Sequence, residues 1–140
     1  QMMLHTSCSE LCERTVDVIL GEGHFLRHLM RLQDRVREAT ARGLQVLDEL
    51  GAEVFCRPEQ SLYLWARFPG IDDTASFTRE VQGRGVMLAP GAIFQANQKG
   101  VTPWTRLNVA YLGEPVFAEC IRRGIEAAGC AATPAPPSST

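Results

Sequence analysis

The sequence predicts an α+β fold, a two-layer sandwich in which helices cover one face of a mainly antiparallel sheet. Three observations lead there. An apolar seam repeating in steps of four and three runs from His24 to Leu50. Short stretches rich in branched and aromatic residues, bounded by Gly or Pro, follow at 53–56, 61–68, 86–88 and 105–112. Helical stretches are interleaved with them, in the order helix, long helix, strand, strand, helix, strand, strand, helix. With 140 residues, 45% of them hydrophobic, the chain suits one core and not two.

Ser7-Cys8-Ser9-Glu10 has the Ser-x-x-Glu pattern of a capping box, which predicts a helix from about Ser9 to Leu20. Gly21 and Gly23 interrupt it, because glycine gives up the most backbone freedom on ordering. The long helix follows, with Phe25, Leu29, Leu32, Val36, Ala39, Gly43, Val46 and Leu50 as its inward seam. The same seam fits a coiled coil, but Ala39 and Gly43 make poor knobs, and packing against a sheet is the expectation. Arg27, Arg31, Arg35, Arg37 and Arg42 give this helix a basic side, answered by Asp34, Glu38, Asp48 and Glu49, which reads as a solvated face.

Glu53 to Cys56 and Ser61 to Phe68 read as the strands of a hairpin, bent at Arg57-Pro58-Glu59-Gln60 because proline fixes φ and steers its predecessor away from helix. Asp73 or Thr74 caps a helix through about Gln82, and Gly83 and Gly85 end it before a strand at Val86 to Leu88. Ala89-Pro90-Gly91 is a turn, and Gln95 to Pro103 a loop. Thr105 to Leu112 alternates Leu107, Val109 and Tyr111 against Arg106, Asn108 and Ala110, the period of a strand. A last helix from Glu114-Pro115 to about Ala128 turns Val116, Phe117, Cys120, Ile121 and Ile125 inward. The predicted organisation is an N-terminal helix and linker over 1–22, one domain over 23–129, and an Ala-, Pro- and Ser-rich disordered tail over 130–140. There is no internal repeat.

A formal net charge of −2 gives no basic footprint for nucleic acid. The five cysteines, Cys8, Cys12, Cys56, Cys120 and Cys130, are odd in number and show no paired CxxC spacing, so reduced thiols are expected rather than disulfides or a metal cluster. No stretch approaches the roughly 20 apolar residues that span a bilayer, and no signal peptide opens the chain. A cytoplasmic protein without membrane association is the expectation. Because Gln1 leads almost at once into a helix, the chain reads as a piece of a longer protein.

Chemistry centres on Arg106, set in the strand Trp104-Thr105-Arg106-Leu107-Asn108-Val109-Ala110 downstream of Val86-Met87-Leu88-Ala89-Pro90-Gly91-Ala92-Ile93-Phe94. A guanidinium stays charged at ordinary pH and its planar fork matches the two oxygens of a carboxylate. On spacing alone an exposed arginine balanced by an acid such as Glu114 remains open. Trp104, on the same strand face, is expected to pack over the guanidinium or to cap the sheet edge. Asn108 shares that face and is expected to orient Arg106 or its ligand. Lys99, the one lysine, lies in a polar loop where nothing would lower its pKa, so it reads as a surface residue. No GxxxxGK[ST] or GxGxxG phosphate cradle is present. His24 and His28 lie one turn apart without a fitting third ligand, and Ser7 and Ser9 have no partners for a hydrolase triad.

These two stretches, with Glu59-Gln60-Ser61-Leu62-Tyr63-Leu64-Trp65-Ala66-Arg67-Phe68-Pro69 before them, resemble the C-terminal small domain of fold-type I pyridoxal-phosphate aminotransferases. The likeness is nearest to the aminotransferase-like part of MocR-type regulators of the GntR family, over roughly Leu11 to Ala128. It implies that Arg106 binds the α-carboxylate of a small amino-acid-like ligand, with Phe94 beneath the site and the Gly-His-x-x-x-His-like stretch at a domain junction. It also implies pyridoxal 5'-phosphate in the full-length parent and none in this fragment, since the Schiff-base lysine and most phosphate contacts of the family lie in an upstream large domain. The fragment alone is then not catalytic. The parent would be a homodimer that binds DNA through a winged helix. Gln60-Ser61 departs from the Gly-Gly pair usual in aminotransferases, which favours the regulator. The alternatives are the small domain of a true aminotransferase and a free-standing α+β interaction module.

Overall fold

The computed structural model describes residues 9–96 and 100–131, with side chains described to residue 128. The first helix, α1 (Glu10–Gly21), starts one residue after Ser9, whose side chain makes no capping hydrogen bond. The expected capping box is therefore corrected: Glu10 is the first helical residue, and Ser7 lies outside the described residues. Helix α2 (His24–Glu49) matches its predicted span. The chain divides into two compact units inside this helix, between Arg35 and Val36.

In the first unit every residue of α1 is exposed, as are Phe25 and Leu32 of α2. These two thus leave the expected seam. In the second unit the seam is carried by Thr40, Gly43, Leu47 and Leu50, with Val36, Ala39 and Val46 at its margins. Thr40 tolerates complete burial because its hydroxyl lies 2.7 Å from the Val36 carbonyl and 3.1 Å from the Ser61 carbonyl, and accepts from the Ser61 N–H at 3.1 Å. Gly51, at φ 67, closes the helix in the left-handed region.

Strands β1 (Glu53–Val54), β2 (Tyr63–Arg67), β3 (Ala89–Pro90) and β4 (Trp104–Asn108) form one sheet in the order β1-β2-β4-β3, every pairing antiparallel. The predicted hairpin is present, with Glu53 opposite Arg67 and Val54 opposite Ala66. Its bend is tied to α2 by Arg57, which donates to Asp48 at 3.1 Å and holds that carboxyl below its usual range. Helix α3 (Thr74–Gln82) begins as expected at Asp73, whose side chain accepts from the Ala75 N–H at 2.9 Å.

Three expected elements differ. Val86 to Leu88 is not a strand: the Val86 N–H donates to the Val81 carbonyl at 3.3 Å, closing the end of α3, and only Ala89 and Pro90 pair with β4. The expected turn at Ala89-Pro90-Gly91 is a two-residue strand entering a 3-10 turn, Gly91–Phe94. The strand predicted to Leu112 stops at Asn108, where the side-chain oxygen accepts from the Ala110 N–H at 3.0 Å and turns the chain into the short helix α4 (Val109–Leu112). Val109 and Leu112 are buried three positions apart and Tyr111 is exposed, so a helical reading fits the same letters. Helix α5 (Pro115–Ala131) closes the fold with Phe117, Cys120 and Ile121 buried and Ile125 half-buried, whereas Val116 faces solvent. The tail beyond it, 132–140, lies outside the described residues.

Leu64 and Ala66 of β2 and Thr105 and Leu107 of β4 form the buried inner face of the sheet, the three apolar ones in one cluster with Leu47, Phe77, Val81, Leu112, Phe117 and Ile121. Strand alternation sends their neighbours to the other face. The sheet is thus covered on one side within this unit, the α+β architecture that the patterning predicts.

Candidate functional site

The outer face of the sheet carries Tyr63, Trp65 and Arg67 from β2 and Trp104, Arg106 and Asn108 from β4. Cross-strand register sets Trp65 opposite Arg106, Tyr63 opposite Asn108 and Arg67 opposite Trp104. On the other side of β4, Ala89 pairs with Arg106. Arg106 therefore sits on an inner strand, half-buried, with its side chain on the face opposite the buried cluster.

The guanidinium carbon of Arg106 lies 4.4 Å from the ring centroid of Tyr63 and 4.6 Å from that of Phe94. Phe94 is in turn packed edge-on against Trp65, centroids 5.5 Å apart and planes at 80°. No carboxylate partners Arg106 among the described residues, Glu114 included. The internal ion pair that the sequence left open is therefore not formed among them.

Arg67, two positions along the same face from Trp65, is the opposite case. Its Nε donates to Glu53 at 2.7 Å, and Trp104 lies 5.7 Å from its guanidinium carbon. This corrects the expected contact of Trp104 with Arg106: the antiparallel register puts Trp104 beside Arg67, and its other ring neighbour is Phe55 at 5.7 Å. Asn108 is likewise engaged elsewhere, its side-chain oxygen capping α4. The sequence reading placed Phe94 below the site but missed Tyr63, because the diagonal contact across two strands depends on register.

The 3-10 turn is held by a buried device. The Thr74 hydroxyl lies 3.0 Å from the Thr102 carbonyl and 2.9 Å from the Trp104 carbonyl, and accepts from the Gly91 N–H at 3.3 Å. Gly91 is so close to β4 that a Cβ there would collide with the Trp104 carbonyl oxygen and meet Thr102 Cγ2 at 2.8 Å. Glycine at this position lets the turn approach the strand and sets Phe94 beside Arg106.

Other sequence candidates are dispersed. His24 Nε2 is 3.0 Å from Glu22 Oε2, and its Nδ1 is 2.9 Å from Arg27 Nη2. No group of three metal-ligating side chains occurs among the described residues. Cys12, Cys56 and Cys120 are free, and no described helix is long and apolar enough to cross a membrane. Lys99 lies outside the described residues. Two shallow clefts of about 330 and 320 Å³ flank the Phe68–Asp73 segment, and neither includes Arg106.

No family model matches the chain. Among curated proteins, it is 26% identical over 121 residues to aromatic-amino-acid aminotransferase 1 of Thermococcus litoralis, covering 81% of this chain and 29% of that protein. It is 36% identical over 74 residues to LL-diaminopimelate aminotransferase of Oleidesulfovibrio alaskensis, covering 51% of this chain and 19% of the relative. Among solved structures, kynurenine aminotransferase of Pyrococcus horikoshii superposes with a TM-score of 0.66 at 22% identity, over 84% of this chain and 29% of that one. The α-aminoadipate aminotransferase of Thermus thermophilus gives 0.65 at 23% identity, over 83% and 31%. The chain thus spans less than a third of the length of these relatives. It resembles a domain of fold-type I pyridoxal-phosphate-dependent aminotransferases and shares the fold of that part of them.

Proposed function

We propose that this chain is the substrate-anchoring small domain of a pyridoxal-phosphate-dependent aminotransferase, with Arg106 holding the α-carboxylate of an amino acid. The carrying observation is the state of that arginine: half-buried on the outer sheet face, beside two rings, and without a carboxylate among the described residues. A guanidinium so placed offers its fork of donors to an incoming anion. The similarity to aminotransferases supports the reading.

The described residues do not themselves fit the cofactor. They contain no lysine, and the sequence has no glycine-rich phosphate cradle. In this reading pyridoxal 5'-phosphate, which would supply the electron sink for amino-group transfer, is held by an upstream large domain of a homodimeric parent. This chain binds and orients the substrate carboxylate and supplies one wall of the site. Trp104 and Asn108 line the same face at its margins. Exposed apolar residues of the first unit, among them Leu11 at 75%, Leu26 at 61% and Met30 at 64%, support a further domain as their cover.

A regulator of the MocR type is the second reading, favoured by Gln60-Ser61. Ser61 is used locally, its N–H donating to Thr40 and its hydroxyl to the Tyr63 carbonyl at 2.7 Å. An effector carboxylate on Arg106 would then bias closure of the domain and, through it, a DNA-binding winged helix. The upstream reading frame separates the two: a winged helix supports the regulator, and a chain that opens directly with the large domain supports the enzyme.

The site is tested with Arg106→Ala in the full-length protein. Loss of a charged partner in a desolvated pair costs about 2 to 5 kcal/mol, so carboxylate binding should fall more than tenfold while cofactor absorbance is retained. A fall of only a fold or two rejects the assignment.

A further inference from the structure

We propose that Tyr63 and Phe94 are positioning residues for Arg106: their rings fix the guanidinium for a ligand carboxylate without touching the ligand themselves. The inference rests on the reading of Arg106 as a carboxylate anchor. An arginine has several rotatable bonds, and a mobile one loses affinity because its freedom is surrendered on binding. Something must hold it. The two arginines of this face are held differently. Arg67 is fixed by Glu53, whose Oε2 takes its Nε and Nη2 donors. Arg106 is met instead by ring faces at 4.4 and 4.6 Å.

A ring attracts the cation through its quadrupole but offers no oxygen to saturate the N–H groups. The aromatic holders therefore leave the donor fork available, which an acidic holder would not. Each ring has its own support. Tyr63 reaches diagonally from β2, within the range of long side chains across an antiparallel pair. Phe94 is braced edge-on by Trp65 and carried on the turn that Gly91 lets close on β4. Tyr63 is 46% exposed and Phe94 45% exposed, so their replacement does not open the core.

The test uses the full-length protein and two probes of one shape, 3-phenylpropionate and its uncharged amide, titrated by calorimetry. The ratio of their affinities isolates the charge-dependent contact. Tyr63→Leu and Phe94→Leu should each lower that ratio about three- to tenfold, inside the roughly two- to thirtyfold range a cation–π contact spans between exposed and desolvated settings. Tyr63→Phe should keep it within about twofold, since the ring and not the hydroxyl holds the cation. In an Arg106→Ala background Tyr63→Leu should have no further effect. If Arg106→Ala collapses the ratio but the leucine variants leave it unchanged, the positioning role is wrong and the anchor stands. If the leucine variants weaken both probes equally, or act without Arg106, the rings serve the ligand or the fold directly and the proposal is overturned. If Arg106→Ala itself leaves the ratio unchanged, the anchor fails and the positioning role with it.

Discussion

Replacing Gly91 with alanine adds one methyl group at the point where the 3-10 turn meets β4. That methyl would collide with the Trp104 carbonyl oxygen and lie 2.8 Å from Thr102 Cγ2. The first obstacle is backbone, locked in the β2–β4–β3 pairing, so the turn must move instead. Overpacking of this kind costs about 1 to 3 kcal/mol. Displacement of the turn also breaks the Gly91 N–H bond to the Thr74 hydroxyl, a buried donor whose loss costs about 1 to 3 kcal/mol more. A total of about 2 to 6 kcal/mol is a large share of ordinary domain stability.

Gly83→Ala is the control. There the new methyl meets nothing nearer than the Glu80 carbonyl oxygen at 3.5 Å, and a φ of −60 suits alanine, so the net change should stay below about 1 kcal/mol. Equilibrium urea denaturation followed by tryptophan fluorescence reads both variants, because the chain's two tryptophans, Trp65 and Trp104, flank Arg106 on the sheet. Equal midpoints for the two variants would refute the close approach at Gly91.

Thr74→Val keeps the shape of a fully buried residue but removes the group that links Thr102, Trp104 and Gly91, and should cost about 1 to 3 kcal/mol in the same assay. Asp73, held below its ordinary value of 3.8 by the Ser76 hydroxyl and then by the Ala75 and Ser76 N–H groups, should contribute stability above that pH and lose it as pH falls through the lowered value. Asp73→Ala should accordingly cost about 0.5 to 2 kcal/mol at pH 7 and show a shallower acid limb in a pH series of denaturation midpoints; an unchanged limb argues against the cap. Peptide mapping after brief treatment with an alkylating reagent should find Cys12 and Cys56 modified and Cys120, buried with its thiol 3.3 Å from the Arg84 carbonyl, protected until the chain unfolds; early labelling of Cys120 would contradict its burial.

Helix spans, the hairpin, the Asp73 cap and the two-layer architecture were legible in the residues, since each rests on local chemistry: apolar period, proline geometry, side-chain capping and glycine stops. Arg106 was legible too, as a fixed charge in an apolar strand. Its surroundings were not. The end of β4 turned on whether Asn108 would bond its own backbone, and alternation alone could not distinguish Val109 and Leu112 in a strand from the same pair on one helical face. The seam of α2 could take in Thr40 because a distant backbone group, at Ser61, satisfied the threonine. Only register decided that Trp104 would meet Arg67 while Tyr63 met Arg106. Pairing across strands is a long-range choice made by the whole buried face, and a shift of one residue would reverse every side chain of the shifted strand. The sequence alone determined the charge and its strand; the tertiary structure decided which side chains surround that charge, because contacts between strands are fixed by the pairing of the whole sheet.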